Sequence, residues 1–245
     1  MQRISNKPRR SFAGHNFRRV TAAAALLALV AFSASEAQAD WWKFGQRKLR
    51  ETGHIEIKSY DLSGFESVTL KSVADVEITF GPEYRVEVET DEVYLELMDI
   101  DVRRKTLVID MDDDDYCNLF LRSEIIVRIT MPALEEIRLK GVGDMIIENF
   151  EGQTLEVTLS GIGDIEIDGT VGELDISVSG IGDANLRQLQ ATDAWATVSG
   201  MGDLRLSVSG TLDARVSGFG DIIYYGHPKD VNRSVSGFGD ILSRR

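Results

Sequence analysis

The sequence predicts an all-β fold, a β-solenoid of the parallel β-helix kind standing behind an N-terminal β-rich capping region. Three observations predict it. The tetrapeptide Gly-apolar-Gly-Asp occurs six times, at 141–144, 161–164, 180–183, 200–203, 218–221 and 237–240, so that its Asp advances by 20, 19, 20, 18 and 19 residues. Around each copy apolar and polar residues alternate at the two-residue period of a half-buried strand: Val157, Leu159, Ile165 and Ile167 interleave with Thr158, Ser160, Asp164 and Glu166. A repeat of that length holds two strands and their corners, so each copy makes one coil, paired in parallel with neighbours about 4.8 Å away. Right-handed winding is expected from the general chirality of parallel β connections.

In chain order, residues 1–39 have the three parts of a secretory signal and are set apart from the fold. A leader with Arg3, Lys7, Arg9, Arg10, Arg18 and Arg19 precedes an apolar run over 20–32, and Ala37-Gln38-Ala39 offers a cleavage site before Asp40. Arg9-Arg10-Ser11-Phe12 matches a twin-arginine signal only in its Arg pair and Phe, which leaves the export route open. The apolar run is shorter than the roughly 20 residues of a membrane helix, and no later stretch approaches that length, so the mature chain is expected to have no transmembrane segment. Loss of the leader's six bases and one acid takes the formal charge from −13 to −18. So acidic a surface repels nucleic acid and anionic lipid and excludes a nucleic-acid role. Cys117 stands alone, so no internal disulfide forms.

Residues 40–53, with Trp41-Trp42 and a basic stretch over 43–50, read as an N-terminal linker, and residues 54–245 as one solenoid domain divided into a β region (54–131) and the repeats (132–245). Within the β region, strands are expected at 54–62, 66–71, 75–80, 85–89, 107–111 and 125–131, a short helix or irregular segment at 93–98, and a basic turn at Arg103-Arg104-Lys105. Such strands would cover the open end of the solenoid, which otherwise presents unpaired edges. Asp110 and Asp112 to Asp115 form an acidic cluster that reads as a solvated loop.

The repeated corner carries the candidate site. The strand phase points both glycines of each copy inward and the residue between them outward. Val142, Ile162, Ile181, Met201, Phe219 and Phe238 would then form an apolar binding stripe, flanked by a Ser ladder (Ser160, Ser179, Ser199, Ser217, Ser236) and by Asp144, Asp164, Asp183, Asp203, Asp221 and Asp240. A turn that swings each apolar residue into a corner of the core is the alternative. Carboxylates stacked about 4.8 Å apart repel by about 1 kcal/mol per pair in water and by 3 to 4 at an effective dielectric near 20, so something must offset them. Acceptance of backbone N–H groups at the glycine bend is the expected answer. Bound Ca²⁺ is the alternative, since carboxylates are suitable oxygen ligands, although the nine-residue period of known Ca²⁺-binding glycine repeats is not found here. No other cofactor is expected.

The order of elements resembles that of the GIN-domain family, described as adhesin heads. The resemblance spans 65–241 and is carried by "FESVTLKSVADVEITFGPEYRVEVE" (65–89), "LVIDM" (107–111), "VRITMPALEEIRLKGVGD" (127–144), the Ser-Gly-x-Gly-Asp copies and the closing "YYGHP" (224–228). Lys71-Ser72-Val73-Ala74-Asp75 resembles a degenerate early copy, with Ala74 in place of the second Gly. The resemblance implies a β-helix-like stack of strands and no established activity. In the family the residue between the glycines is usually Ser; here it is apolar in every copy. That departure supports display of the stripe, and display and corner burial remain the two alternatives. Contiguous exposed apolar surface usually marks an interaction site.

No catalytic residues are expected. Catalysis needs one asymmetric site whose carboxyls differ in environment, and six equivalent Asp residues do the opposite. His54 and His227 have neither a neighbouring nucleophile motif nor metal-ligand spacing. The sequence therefore points to an exported, non-enzymatic binding or structural module of the cell envelope, periplasmic or at the cell surface, with an envelope protein, a polysaccharide or a second copy as partner. A Ca²⁺-dependent carbohydrate-active β-helix is the alternative.

Overall fold

The structure, a computed structural model, describes residues 51–111 and 123–244. Sixteen strands form one continuous sheet that winds into a β-solenoid of about five turns. The expected signal sequence, the expected linker up to Arg50, the acidic run Asp112 to Asp115 and Cys117 lie outside the described residues.

The repeats build the regular part. β9 (Met145–Leu159), β10 (Ile165–Val178) and β11 (Ala184–Val198) each run through one coil. The next coil is divided into β12 (Leu204–Val208) and β13 (Thr211–Val216), the one after into β14 (Ile222–Tyr225) and β15 (Asp230–Val235), and β16 (Ile241–Ser243) begins the last. All these neighbours pair in parallel. The alternation seen in the sequence places like residues over like. One inward column runs Met145, Ile165, Ala184, Leu204, Ile222, Ile241; another runs Leu159, Val178, Val198, Val216. These side chains are at most 8% exposed, and burial of each large one contributes about 1.5–3 kcal/mol. The uneven repeat length has a local cause. β10 is offset from β9 by 20 residues at Ile165 and by 19 from Gly169 onward, so a bulge absorbs the extra residue while the corners stay aligned.

The N-terminal β region extends the stack in an order that differs from the chain's. β2 (Ser67–Leu70) and β3 (Asp75–Phe80) make the coil directly above the repeats, since β2 pairs with β8 (Glu136–Leu139) and β3 with β9. The later strands β6 (Thr106–Met111) and β7 (Ile126–Met131) pair on the opposite edges of β2 and β3, as a further parallel layer. Three antiparallel strands then close this end: β5 (Met98–Arg103) on β6, β4 (Arg85–Asp91) on β7, and β1 (Ile55–Tyr60) on β4. α1 (Glu92–Leu95) links β4 to β5. Its cap, Asp91, is buried, and its carboxylate accepts from Val93 N, Gly53 N and the Thr52 hydroxyl.

The expected strands are present with boundaries shifted by a few residues, and β5 is a strand that the sequence reading did not anticipate. The basic turn is its hairpin to β6. Arg104 (φ 50°) and Lys105 (φ 65°) are the two loop residues, both left-handed, as a two-residue hairpin of type I′ requires.

The glycines correct one expectation. They do not point into the core: a Cβ on Gly161 would lie 2.0 Å from the Gly141 carbonyl oxygen, and one on Gly163 would lie 1.9 Å from that of Gly143. The same holds up the stack, so each glycine lies flat against the backbone of the preceding coil. Gly182 adds a φ of 144°, a region that L residues rarely adopt. Gly182→Ala is therefore expected to cost at least about 3 kcal/mol, since positive-φ strain and a backbone overlap add. Chemical denaturation of the two proteins measures it, with Gly53→Ala, which meets nothing within 4 Å, separating strain from overlap.

Candidate functional site

Each repeat turns the same corner, and the corners lie over one another. Val73, Val142, Ile162, Ile181, Met201, Phe219 and Phe238 are joined in that order by single parallel bridges. Between two flat glycines the middle residue has only one direction left, outward. Val142 to Met201 are 43–51% exposed, Phe219 58% and Phe238 75%. Of the two alternatives the sequence left open, the coordinates hold display: the stripe is contiguous and none of its six members enters the core. Phe219 and Phe238 stack with centroids 5.1 Å apart and planes 8° from parallel, so each covers a face of the other.

The Asp ladder on one flank is a hydrogen-bonded chain. The Oδ1 of Asp144 accepts from Asp164 N at 2.8 Å, that of Asp164 from Asp183 N at 2.7 Å, and that of Asp183 from Asp203 N at 2.8 Å. Asp203 and Asp221 continue it, accepting from Asp221 N at 3.0 Å and Asp240 N at 2.8 Å. Asp75 of the degenerate copy begins it, accepting from Asp144 N at 2.9 Å. The donor therefore belongs to the next coil and not to the carboxylate's own bend. One cation enters the ladder among the described residues: Arg205 bridges Asp183 (3.3 Å) and Asp203 (3.1 Å). Charge-assisted bonds of this kind, about 1.5–3 kcal/mol each, offset the repulsion along the column.

On the other flank Ser160 and Ser179 place their hydroxyls 3.4 Å from the Leu139 and Leu159 carbonyls. Between this Ser ladder and the stripe runs a shallow groove of about 580 Å³, lined by Ser160, Ser179 and Ser199, the first glycine of the first four copies, the stripe from Val142 to Phe219, and Lys71 and Lys140 at one end. Lys71 and Lys140 stand in the early and first copies where the later copies have Ser, and the stacking of β2 on β8 brings them together.

Burial pushes the Asp164 carboxyl above its ordinary value; Asp144 and Asp183 push the same way, against the Asp183 N–H and Arg205. Burial likewise raises Asp75, with Asp144, Glu124 and Glu77 adding to it and the Asp144 N–H opposing. The six ladder carboxylates do not converge on a point. Among the described residues, the group of three whose ligand atoms lie within 4.8 Å of one another is His54, Glu56 and Glu92, all exposed at the β1 end. His227 is exposed in the β14–β15 turn.

A parallel β-solenoid with an apolar stripe and an Asp ladder along one corner is a repeat scaffold that presents a row of like side chains on its surface. Residues 64–228 match the family model described as a putative auto-transporter adhesin, head GIN domain, and the chain belongs to this family. Its fold is shared with a putative adhesin of Bacteroides fragilis, at 23% identity over 79% of this chain and 99% of that one, with a TM-score of 0.67. A putative adhesin of Parabacteroides merdae is similar at 17% identity over 80% and 98%, with a TM-score of 0.51. Among curated proteins none matches the chain in sequence.

Two predictions follow from the ladder. Asp164→Ala, which removes an acceptor from Asp183 N–H, should lower stability by about 1–3 kcal/mol, whereas Asp164→Asn keeps Oδ1, loses the charge and should melt at or above the wild-type temperature at pH 7. The second concerns pH. A carboxyl whose folded pKa is raised contributes stability that is complete below its unfolded value, about 3.9, and is lost as pH rises through the folded value. Hence the advantage of Asp164→Asn over wild type should be largest at neutral pH and shrink as pH falls towards about 4. Melting of both proteins across that range measures it; a constant gap would contradict the raised pKa.

Proposed function

We propose that this chain is an exported, non-enzymatic module of the cell envelope that binds an envelope protein along its apolar stripe. One observation carries the reading: six outward apolar residues, one on each coil, joined in register and 43–75% exposed. The fold does not demand apolar side chains there, because they touch no core. Membership of an adhesin-head family supports an adhesion-like role, and the leader supports export. No helix among the described residues is long and apolar enough to cross a membrane.

The ring geometry favours protein over polysaccharide as the partner. Sugars stack on aromatic faces, and Phe219 and Phe238 cover one another's, leaving edges and a single outer face. An extended protein segment can instead lay alternate side chains into a groove whose rungs repeat about every 4.8 Å. Non-enzymatic action is supported by the ladder, whose carboxylates accept main-chain N–H groups coil after coil.

Replacing both Phe219 and Phe238 with Ser should leave the fold intact, costing less than about 1.5 kcal/mol from the lost ring pair. Binding of the labelled protein to intact cells of the producing organism should be lost, and a glycan array should give no signal with either protein. Undiminished cell binding by the double variant, or capture of a glycan that the variant no longer binds, would overturn the reading.

A further inference from the structure

Among the described residues, the two strands with no buried residue lie one at each end of the solenoid. β1 is exposed except at half-buried Tyr60, and β15 except at half-buried Val231. β1 pairs only with β4, β5 only with β6, β15 only with β13 and β16 only with β14, so among the described residues each end presents two strands with an unpaired outer edge. Outside the stripe there are four exposed large apolar side chains among the described residues, and three of them, Ile55, Ile57 and Val235, lie on β1 and β15. An edge of this kind is a template for another strand.

The ends differ in charge. Residues 55–60 and 85–103, which carry β1, β4, α1 and β5, hold eight acids against three bases, a formal −5, whereas residues 226–244 at the other end hold three bases against two acids, a formal +1. Arg233 explains how that positive charge is presented. It stands on β15 in the inward column occupied by Ala196 and Ala214 in the coils before it. Its guanidinium lies 5.0 Å from the Tyr224 ring centroid and donates to the Tyr224 hydroxyl, with no carboxylate partner among the described residues. An inward charge on an edge strand discourages indiscriminate pairing, and one left without a counter-ion favours an acidic edge. At the β1/β5 end, the acids of β5 are exposed Asp99 and half-buried Asp101, each paired among the described residues with Arg103 of the same strand.

We infer that copies of this chain associate head to tail, the acidic β1/β5 end of one seated on the β15/β16 end of the next. Joining two like ends would set Asp99 and Asp101 against their own copies, or Arg233 and Arg244 against theirs; joining unlike ends sets acid against base and edge against edge. A head-to-tail contact is heterologous, and repeated without closure it yields a filament. Asp240, whose Oδ1 accepts no N–H from a following coil, and the outer face of Phe238 lie at the receiving end. This contact uses the ends of the solenoid and is independent of what binds along the stripe.

Sedimentation of the purified chain tests it. At 0.1 M salt, where screening acts over about 10 Å, species larger than one chain are expected, and they should recede at 1 M, where it acts over about 3 Å. Asp99→Lys with Asp101→Lys should sediment as a single chain, and so should Arg233→Glu with Arg244→Glu; mixing the two should restore the larger species, because the reversed ends again complement each other. Should loss of the Tyr224 contact unfold the tail variant, as judged by circular dichroism, Lys229→Glu with Arg244→Glu takes its place. A wild-type protein that stays single at 0.1 M salt, end variants that still associate, or a mixture that fails to recover would each overturn the inference. Association abolished by Phe219→Ser but not by the end variants would place the contact on the stripe and overturn it too.

Discussion

The structure depends on one contact between coils: a glycine pressed against the carbonyl oxygen of the glycine beneath it. In a regular parallel ladder the Gly143 carbonyl would receive the N–H of Asp164. Here that carbonyl is turned at Gly163, 1.9 Å from where a Cβ would be, and no N–H donates to it among the main-chain bonds. Asp164 N–H is left needing an acceptor, and the Asp144 side chain supplies one at 2.8 Å. The glycine and the aspartate of the repeat are thus two halves of one solution. Glycine permits the tight corner, and the carboxylate replaces the main-chain bond that the corner removes.

This coupling decides what the repeat can do. An Asp whose carboxylate accepts the N–H of the next coil, as those of Asp144, Asp164, Asp183, Asp203 and Asp221 do, is a structural group. The residue between the glycines is the one member of the repeat that the backbone leaves free. Its carbonyl and N–H continue the ladder, as in Ile162 N to Gly141 O and Gly143 N to Ile162 O, while its side chain touches no core. A copy with Ser there and a copy with Val, Ile, Met or Phe would therefore fold alike. The difference falls wholly on the surface, where it changes what can bind.

Much of this was legible because the information is local and repeated. Six copies at a near-constant spacing fixed the coil, the two-residue alternation fixed which side chains face inward, and Lys71 to Asp75 could be recognised as an early copy, whose Asp75 carboxylate does accept the Asp144 N–H. What stayed hidden is long-range or stereochemical. No local pattern says that β6 and β7 stack outside β2 and β3, because strand order is a matter of pairing between distant segments. β5 was missed because "MDIDVR" reads as an acidic stretch, and its turn places Arg104 and Lys105 in the left-handed region without the Asn or Gly that would signal it. The glycine direction was missed because strand phase assumes a straight strand, and the corner rotates the Cα out of that phase.

A stack whose coils bond only to their neighbours has a particular difficulty at its ends, where half of each coil's bonds are unmade. The two ends of this molecule meet it by different means. At the β1 end the chain reverses direction: antiparallel β4, β5 and β1 replace the parallel repeat, so no Gly-x-Gly-Asp corner lies open there and the surface is made acidic. At the β15 end the parallel repeat runs on through the corner at 237–240, and Arg233 stands in the inward column of Ala196 and Ala214 and covers Tyr224. A closed symmetric oligomer needs a patch that complements itself, and neither end does: one opposes acid to acid, the other guanidinium to guanidinium. The asymmetry that protects each end from its own copy is the same asymmetry that makes the two ends fit each other.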